Sequence, residues 1–157
     1  MQISLSGGYH RPKWNTTFMQ VAHVISLRST CIRRQVGAVL VKDKHIIATG
    51  YNGAPAGLKH CGELGCLREI LNVPSGERHE LCRAVHAEQN LVIQAAIHGR
   101  DTRGATVYVT CQPCVICAKI LVNAGISKVV YVGEYPDKDA VEIMTAGGIE
   151  LENYSGR

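Results

Sequence analysis

The run ATVYVTCQPCVICAKILVNAGISKVVYVG, residues 105–133, most constrains the fold. ATVYVT is rich in β-branched residues and reads as a strand. Pro113 ends it, since proline cannot donate to a sheet ladder. Cys114 to Ala124 reads as a helix, and Gly125 stands where a helix C-cap favours a left-handed residue. KVVYVG is a second strand. Two strands joined by a helical crossover pair in parallel, with the helix packed back on one face.

The remaining segments extend this unit. From Trp14 to Ser29, Phe18, Val21, Ala22, Ile25 and Leu27 recur at helical spacing, with Asn15 or Thr16 as the expected N-cap. VGAVLV and HIIATGY are apolar, β-branched runs separated by Lys42, Asp43 and Lys44, which predicts a β-hairpin. Val85, Leu91, Val92, Ala95 and Ala96 predict a helix that stops near Gly99. Asp137 to Ala146 reads as a helix ending at Gly-Gly, and IELENY as a last strand. Residues 1–13 read as an irregular arm. Residues 50–80 hold six glycines, two prolines and two cysteines and read as a long loop insertion. A loop of that length inside a compact domain is functional or pinned. The expected architecture is one α/β domain over residues 1–157, with a five-stranded mixed sheet between helices in three layers.

Composition sets outer bounds. The chain has 157 residues, 46% apolar and 19% charged, which suits a globular domain with its own core. No apolar run reaches the roughly 18 residues of a membrane helix. The segment MQISLSGGYHRPKW lacks a signal-peptide core, so a cytoplasmic location is expected. A formal charge of +4 suits an anionic small ligand better than a nucleic acid. Aromatics make up only 5%, too few for the stacking platforms of single-strand binders. The seven cysteines, an odd number, argue for metal binding over a disulfide framework.

The chemistry is concentrated in CRAVHAEQN (82–90) and CQPCVIC (111–117). Cys114 and Cys117, at i and i+3, share one helix face in a first turn, where the helix dipole favours thiolate. With His86 they make a Cys₂His set that holds zinc and leaves a fourth position open, as in catalytic sites. Zinc with two thiolates is formally neutral, so a bound water is activated without a large field at the site. Glu88 lies two residues beyond His86 and diverges from it along a helix, so it serves as a proton shuttle and not as a ligand. Each piece alone is ordinary: C-x-x-C also occurs in redox sites and by chance, and HAE is most often helix surface. The conjunction H-x-E with P-C-x-x-C is the signature of zinc nucleobase deaminases.

GYNGAPAGLKHC (50–61), HAEQN and TCQPCVICAK together closely resemble the deoxycytidylate (dCMP) deaminases, from about Trp14 to Tyr154. The resemblance implies a cytidine-deaminase-like fold and hydrolysis of dCMP to dUMP with release of ammonia, supplying dUMP for thymidylate synthesis. It implies Zn2+ on His86, Cys114 and Cys117, a zinc-activated water as nucleophile, Glu88 as proton shuttle, and a homohexamer. Asn52 and Tyr135 match substrate-facing positions, and the Ala87 backbone is expected at the base edge. For Tyr135 a packed strand-end residue weighs equally. Gly50, Tyr51, Asn52 and Gly53 match a loop that takes dCTP as activator and dTTP as inhibitor. The phosphate ligand stays open among Arg33, Arg34, Lys42, Arg78 and Arg83.

The resemblance also implies a second, structural zinc on Cys31, Cys61, His79 and Cys82, with Cys66 competing for the fourth place. Ala84 stands where a phage pattern has a carboxylate. Buried or free thiols are the plain alternative. Cys111 reads as a packed strand-end thiol. Rival functions are deamination of dCTP or of single-stranded nucleic acid, and a zinc-stabilised interaction module without activity. An intact Glu88 argues against the last, since a structural zinc has no use for it.

Overall fold

A computed structural model describes residues 11–133 and 137–155. Tyr135 and residues 1–10 of the expected arm lie outside the described residues. Helix α1 spans Trp14–Ser26, β1 Gly37–Lys42 and β2 His45–Tyr51. Two short helices, α2 (Cys61–Leu64) and α3 (Leu67–Ile70), are followed by a single 3₁₀ turn at His79–Leu81. Then come α4 (Ala87–Ile97), β3 (Thr106–Val109), α5 (Val115–Asn123), β4 (Lys128–Tyr131), α6 (Lys138–Ala146) and β5 (Glu150–Asn153).

The five strands form one sheet in the order β2-β1-β3-β4-β5. The hairpin β1–β2 is antiparallel, β1–β3 is antiparallel, and β3–β4 and β4–β5 are parallel. The sheet is mixed and five-stranded, as the sequence pattern implied. Asp43 and Lys44 turn the hairpin with φ of 51° and 63°, the left-handed pair that matches strand twist. Alternation along the strands splits the core. Val39, Val41, Tyr108 and Val130 face Phe18, Met19 and Ala22 of α1. Ala38, Leu40, Val107, Val109 and Val129 face Leu91 and Ala95 of α4, Ala118 and Leu121 of α5, and Met144 of α6. None of the described helices is long and apolar enough to cross a membrane.

Two local expectations are corrected. Lys13, not Asn15 or Thr16, precedes the first turn of α1. The two expected caps are engaged across the fold. Asn15 donates to Glu152 Oε1 at 2.7 Å and accepts from the Tyr108 hydroxyl at 2.8 Å. Thr16 Oγ1 accepts from the Tyr154 hydroxyl at 3.0 Å. Helix α1 also stops at Ser26, because Ser29 turns back and donates to Asn52 Oδ1 at 2.6 Å.

Gly50 fixes where α4 sits. A Cβ there would lie 2.2 Å from the Ala87 carbonyl oxygen and 2.6 Å from the Leu91 nitrogen. Helix α4 therefore begins against the end of β2, and its first turn cannot shift. The loop between β2 and α4 closes on itself by a bridge: Gly53 N donates to Val85 O at 3.1 Å and Val85 N to Gly53 O at 2.8 Å.

Candidate active site

The site sits past the carboxyl end of β3, where open α/β sheets hold ligands. His86 and Cys114 are the N-cap residues of α4 and α5, and Cys117 lies one turn into α5. Both helices thus aim their N-termini at one point. The His86 amide donates to Gln89 Oε1 at 2.8 Å, half of a capping box that fixes the helix entry. Asp137 anchors the other helix. Its Oδ2 accepts from the Val115 amide at 2.8 Å, and its Oδ1 accepts from the Ala140 amide at 2.9 Å. One carboxylate therefore holds the starts of α5 and α6 together.

His86 Nδ1 lies 3.5 Å from Cys114 Sγ and 3.4 Å from Cys117 Sγ. Tetrahedral Zn–N and Zn–S bonds of ordinary length give a donor edge of about 3.6 Å, so the set fits zinc. His86, Glu88 and Cys117 place one ligand atom each within 4.8 Å of one another, as do His79, His86 and Cys114. Glu88 is only 4% exposed. Burial raises its pKa, partly opposed by the His86 ring. The Cys114 thiol is driven down to about 3, with Cys117 as the largest cause and His86 the next favourable one. The Cys117 thiol is pushed the other way by its bond to Cys114 and by burial. His86 rises to about 10 through contact with Cys114 and then Cys82. Metal binding must therefore displace the protons held on Cys117 and on the His86 ring.

A cavity of about 390 Å³ opens onto this centre. Its walls include His86, Glu88, Cys114, Asn52, Arg33 and Arg68. The second group of donors is spread along the same wall: Cys31, Cys61, Cys66, His79 and Cys82 all reach it. Burial raises the Cys61 thiol, helped by the charges of Cys31, Cys66 and Cys82. His79 packs its ring edge against His86 at 5.2 Å and is depressed by burial. Cys82 is lowered by the His86 ring. Within the expected second set, His79 and Cys82 approach the His86 centre, and Cys82 also stands with Cys31 and Cys66 near Cys61. Cys111 is a packed thiol, raised to about 11 by burial.

The expected substrate and effector residues divide. Asn52 is buried and lines the cavity, yet it also organises the backbone. Its Oδ1 accepts from Val36 N at 2.8 Å, and its Nδ2 donates to Arg34 O at 2.8 Å. Ala87 is buried at the start of α4. Tyr51 O accepts from Asn90 Nδ2 at 2.8 Å. Tyr51 and Gly53 line a separate cavity of about 430 Å³ with residues 54–60 and Glu63, whereas Gly50 packs against α4. Of the cations considered for phosphate, Lys42 lies at the far end of β1 and pairs with Asp101 at 3.1 Å. Arg78 pairs with Glu80, and Arg83 is exposed. Arg33 and Arg34 line the cavity. Arg68 does too, and nothing in the sequence marked it: an arginine two residues after a cysteine in a loop has no signature.

An imidazole, two thiols and a buried carboxylate at converging helix N-termini define a hydrolytic metal centre on an α/β sheet. The model of the cytidine and deoxycytidylate deaminase zinc-binding region matches residues 12–133. The chain belongs to this family of zinc-dependent deaminases. ComE operon protein 2 of Bacillus subtilis is 41% identical over 90% of this chain and 71% of its own length. The deoxycytidylate deaminase of Schizosaccharomyces pombe is 37% identical over 92% of this chain, which spans 45% of that protein. The dCMP deaminase of cyanophage S-TIM5, solved in complex with dCMP and dUMP, has 29% identity and a TM-score of 0.75, covering 93% of this chain and 100% of that one.

Proposed function

We propose that the chain catalyses the hydrolytic deamination of dCMP to dUMP with release of ammonia, in the cytoplasm. The observation that carries this reading is Glu88. A carboxylate 4% exposed at the head of α4, beside three zinc donors and lining the cavity, stands where a proton shuttle is needed. His86, Cys114 and Cys117 would hold zinc, which supplies Lewis-acid activation of a water. Glu88 takes the proton of that water and delivers it to N3 of the pyrimidine ring. As the water oxygen bonds to C4, Glu88 would take the second proton from that oxygen and pass it to the amino group, whose bond to C4 breaks to release ammonia. Burial favours the neutral acid, so Glu88 accepts a proton readily, and its fixed place makes it the donor in the later step. The Ala87 backbone adjoins this carboxylate and would meet the base edge. Tyr135 is assigned to the substrate by resemblance. The deaminase in complex with dCMP and dUMP supports a nucleoside monophosphate as substrate.

Ammonia release from zinc-replete protein should be followed with dCMP, dCTP, deoxycytidine and a single-stranded DNA oligomer in parallel. Turnover of dCMP well above the other three is expected. Equal or greater turnover of another member would overturn the substrate assignment, and silence on all four would favour an interaction module.

A second, structural zinc on Cys31, Cys61 and Cys82 belongs to the same proposal. The shared wall of Cys31, Cys61, Cys66 and Cys82 supports Cys66 as the fourth donor in place of His79. Metal analysis should give two zinc ions per chain, and one would remove the second site. A homohexamer, with dCTP as activator and dTTP as inhibitor at Tyr51, Asn52 and Gly53, follows the same family pattern. Sigmoidal dCMP kinetics that turn hyperbolic with dCTP would support it.

A further inference from the structure

We propose that Arg68, together with Arg33, binds the dianionic monophosphate of the substrate. The inference rests on the monophosphate reading above and assigns its anion subsite. Arg68 is 9% exposed although it belongs to the loop insertion. Its Nη2 donates to the Pro74 carbonyl at 2.9 Å, which fixes the guanidinium plane. Its Nε is buried without a hydrogen-bond partner, and so is Nη1 of Arg33. Arg33 Nε meets Glu69 at 3.7 Å, a loose pair with a half-exposed carboxylate. Both arginines line the cavity that reaches Glu88 and His86.

A buried guanidinium with unsatisfied N–H groups is costly unless an anion completes it. Among the described residues lining this cavity Glu88 is the sole carboxylate, and it lies beside His86 and Cys117. Arg33, Arg34 and Arg68 thus bring three guanidiniums to the cavity wall, and the one carboxylate paired with them, Glu69 on Arg33, is half-exposed and loosely held. The ligand that fits is a compact dianion with several acceptor oxygens. A phosphate monoester offers three, and two guanidiniums engage it as planar forks. The reacting base goes to Glu88 and the phosphate to the insertion. The loop between Gly53 and Val85 then grips the substrate by its charged end.

The test compares zinc-replete wild type with Arg68→Gln and Arg68→Lys. The readout is the ratio of kcat/KM for dCMP over deoxycytidine, its phosphate-free counterpart. In parallel, calorimetry gives the ratio of binding constants for dUMP over deoxyuridine, with inorganic phosphate as competitor. Arg68→Gln should lower both ratios by about 10- to 100-fold, the worth of one or two hydrogen bonds to a charged group. Arg68→Lys keeps the charge and should lower them less. Inorganic phosphate should compete with dUMP in wild type and not in Arg68→Gln. Ratios that stay constant while both substrates suffer equally would overturn the proposal in favour of a folding role. Constant ratios with loss of zinc would make Arg68 a counter-charge for the thiols instead. Phosphate binding in wild type with no preference for dUMP over deoxyuridine would assign the site to free phosphate and overturn the substrate role. Wild type inactive on dCMP sinks the deaminase reading, yet the dUMP ratio still reports on Arg68.

Discussion

The heads of α4 and α5 and the segment between Gly53 and Val85 face one cavity but are held in opposite ways. The two helix heads are fixed by the fold itself. Gly50 admits the α4 backbone, Asp137 ties the Val115 amide, and the apolar faces of both helices are sunk in the sheet core. The insertion has two four-residue helices and a single 3₁₀ turn, and its ends meet through one isolated bridge. Its buried residues include Cys61, Cys66 and Arg68, groups that want metal or anion partners more than hydrocarbon. The lesson is a division of labour. Regular elements position the donors of the site, whereas the insertion on the facing wall has little regular structure or apolar anchoring of its own.

The sharpest way to break this contrast is Glu88→Gln. The amide keeps the shape and removes the proton acceptor, so turnover should fall by about 10²- to 10⁴-fold. Zinc content and thermal midpoint should stay near wild type. Retained activity would mean that Glu88 belongs to the wall and not to the reaction.

Paired glycine substitutions sharpen the same comparison. Gly50→Ala drives a methyl into the α4 backbone at 2.2 Å, and both partners are main chain. It should cost about 3 kcal/mol and reduce activity with it. Gly57→Ala, in the insertion, meets nothing within 4 Å and strains only a φ of +81°. It should cost about 1 kcal/mol. Denaturant midpoints measure both. Equal costs would show the insertion to be packed as tightly as the helix heads.

Chelation comes next. Stripping zinc should open residues 54–84 to a protease while the sheet and its helices survive as a large fragment. Mass spectrometry of the products locates the cuts. Cleavage scattered through the strands would mean that the metal holds the whole fold, and no cleavage would mean that the insertion needs none.

The sheet and the convergence of His86, Cys114 and Cys117 were legible in the sequence for one reason: both follow local patterns. Strand, Pro113, helix and Gly125 announce a crossover, and His86-x-Glu88 with Cys114-x-x-Cys117 announce a metal centre by spacing alone. What escaped is set by contacts far apart in the chain. Asn15 looked like a cap until Glu152 and Tyr108 claimed it. Asp137 looked like an ordinary helix start, yet it also holds α5. Arg68 had no pattern at all, and its meaning comes from burial and an unpartnered Nε. The ordering of His79 and Cys82 toward His86 likewise depends on how an irregular loop folds back.

The smallest predicted effect separates acid loss of activity from acid loss of fold. Lys42, Asp101 and Arg103 form a surface network at the end of β1 away from the site. The Arg103 guanidinium, then the Lys42 ammonium, hold the Asp101 carboxyl well below its usual range. A depressed folded pKa contributes stability above the unfolded value and loses it as pH falls through the folded one. The stability difference between wild type and Asp101→Asn should therefore be constant above about pH 5 and close below about pH 4, the ordinary carboxylate range. Glu88 has the opposite sign: burial raises its pKa, and a zinc neutralised by two thiolates adds little to pull it back. The acid limb of kcat/KM should then lie above that window, where the Asp101 network is intact. The limb should superimpose for wild type and Asp101→Asn. An activity limb that moves with Asp101→Asn, or that coincides with loss of fold, would mean that acid acts through the scaffold and not through Glu88.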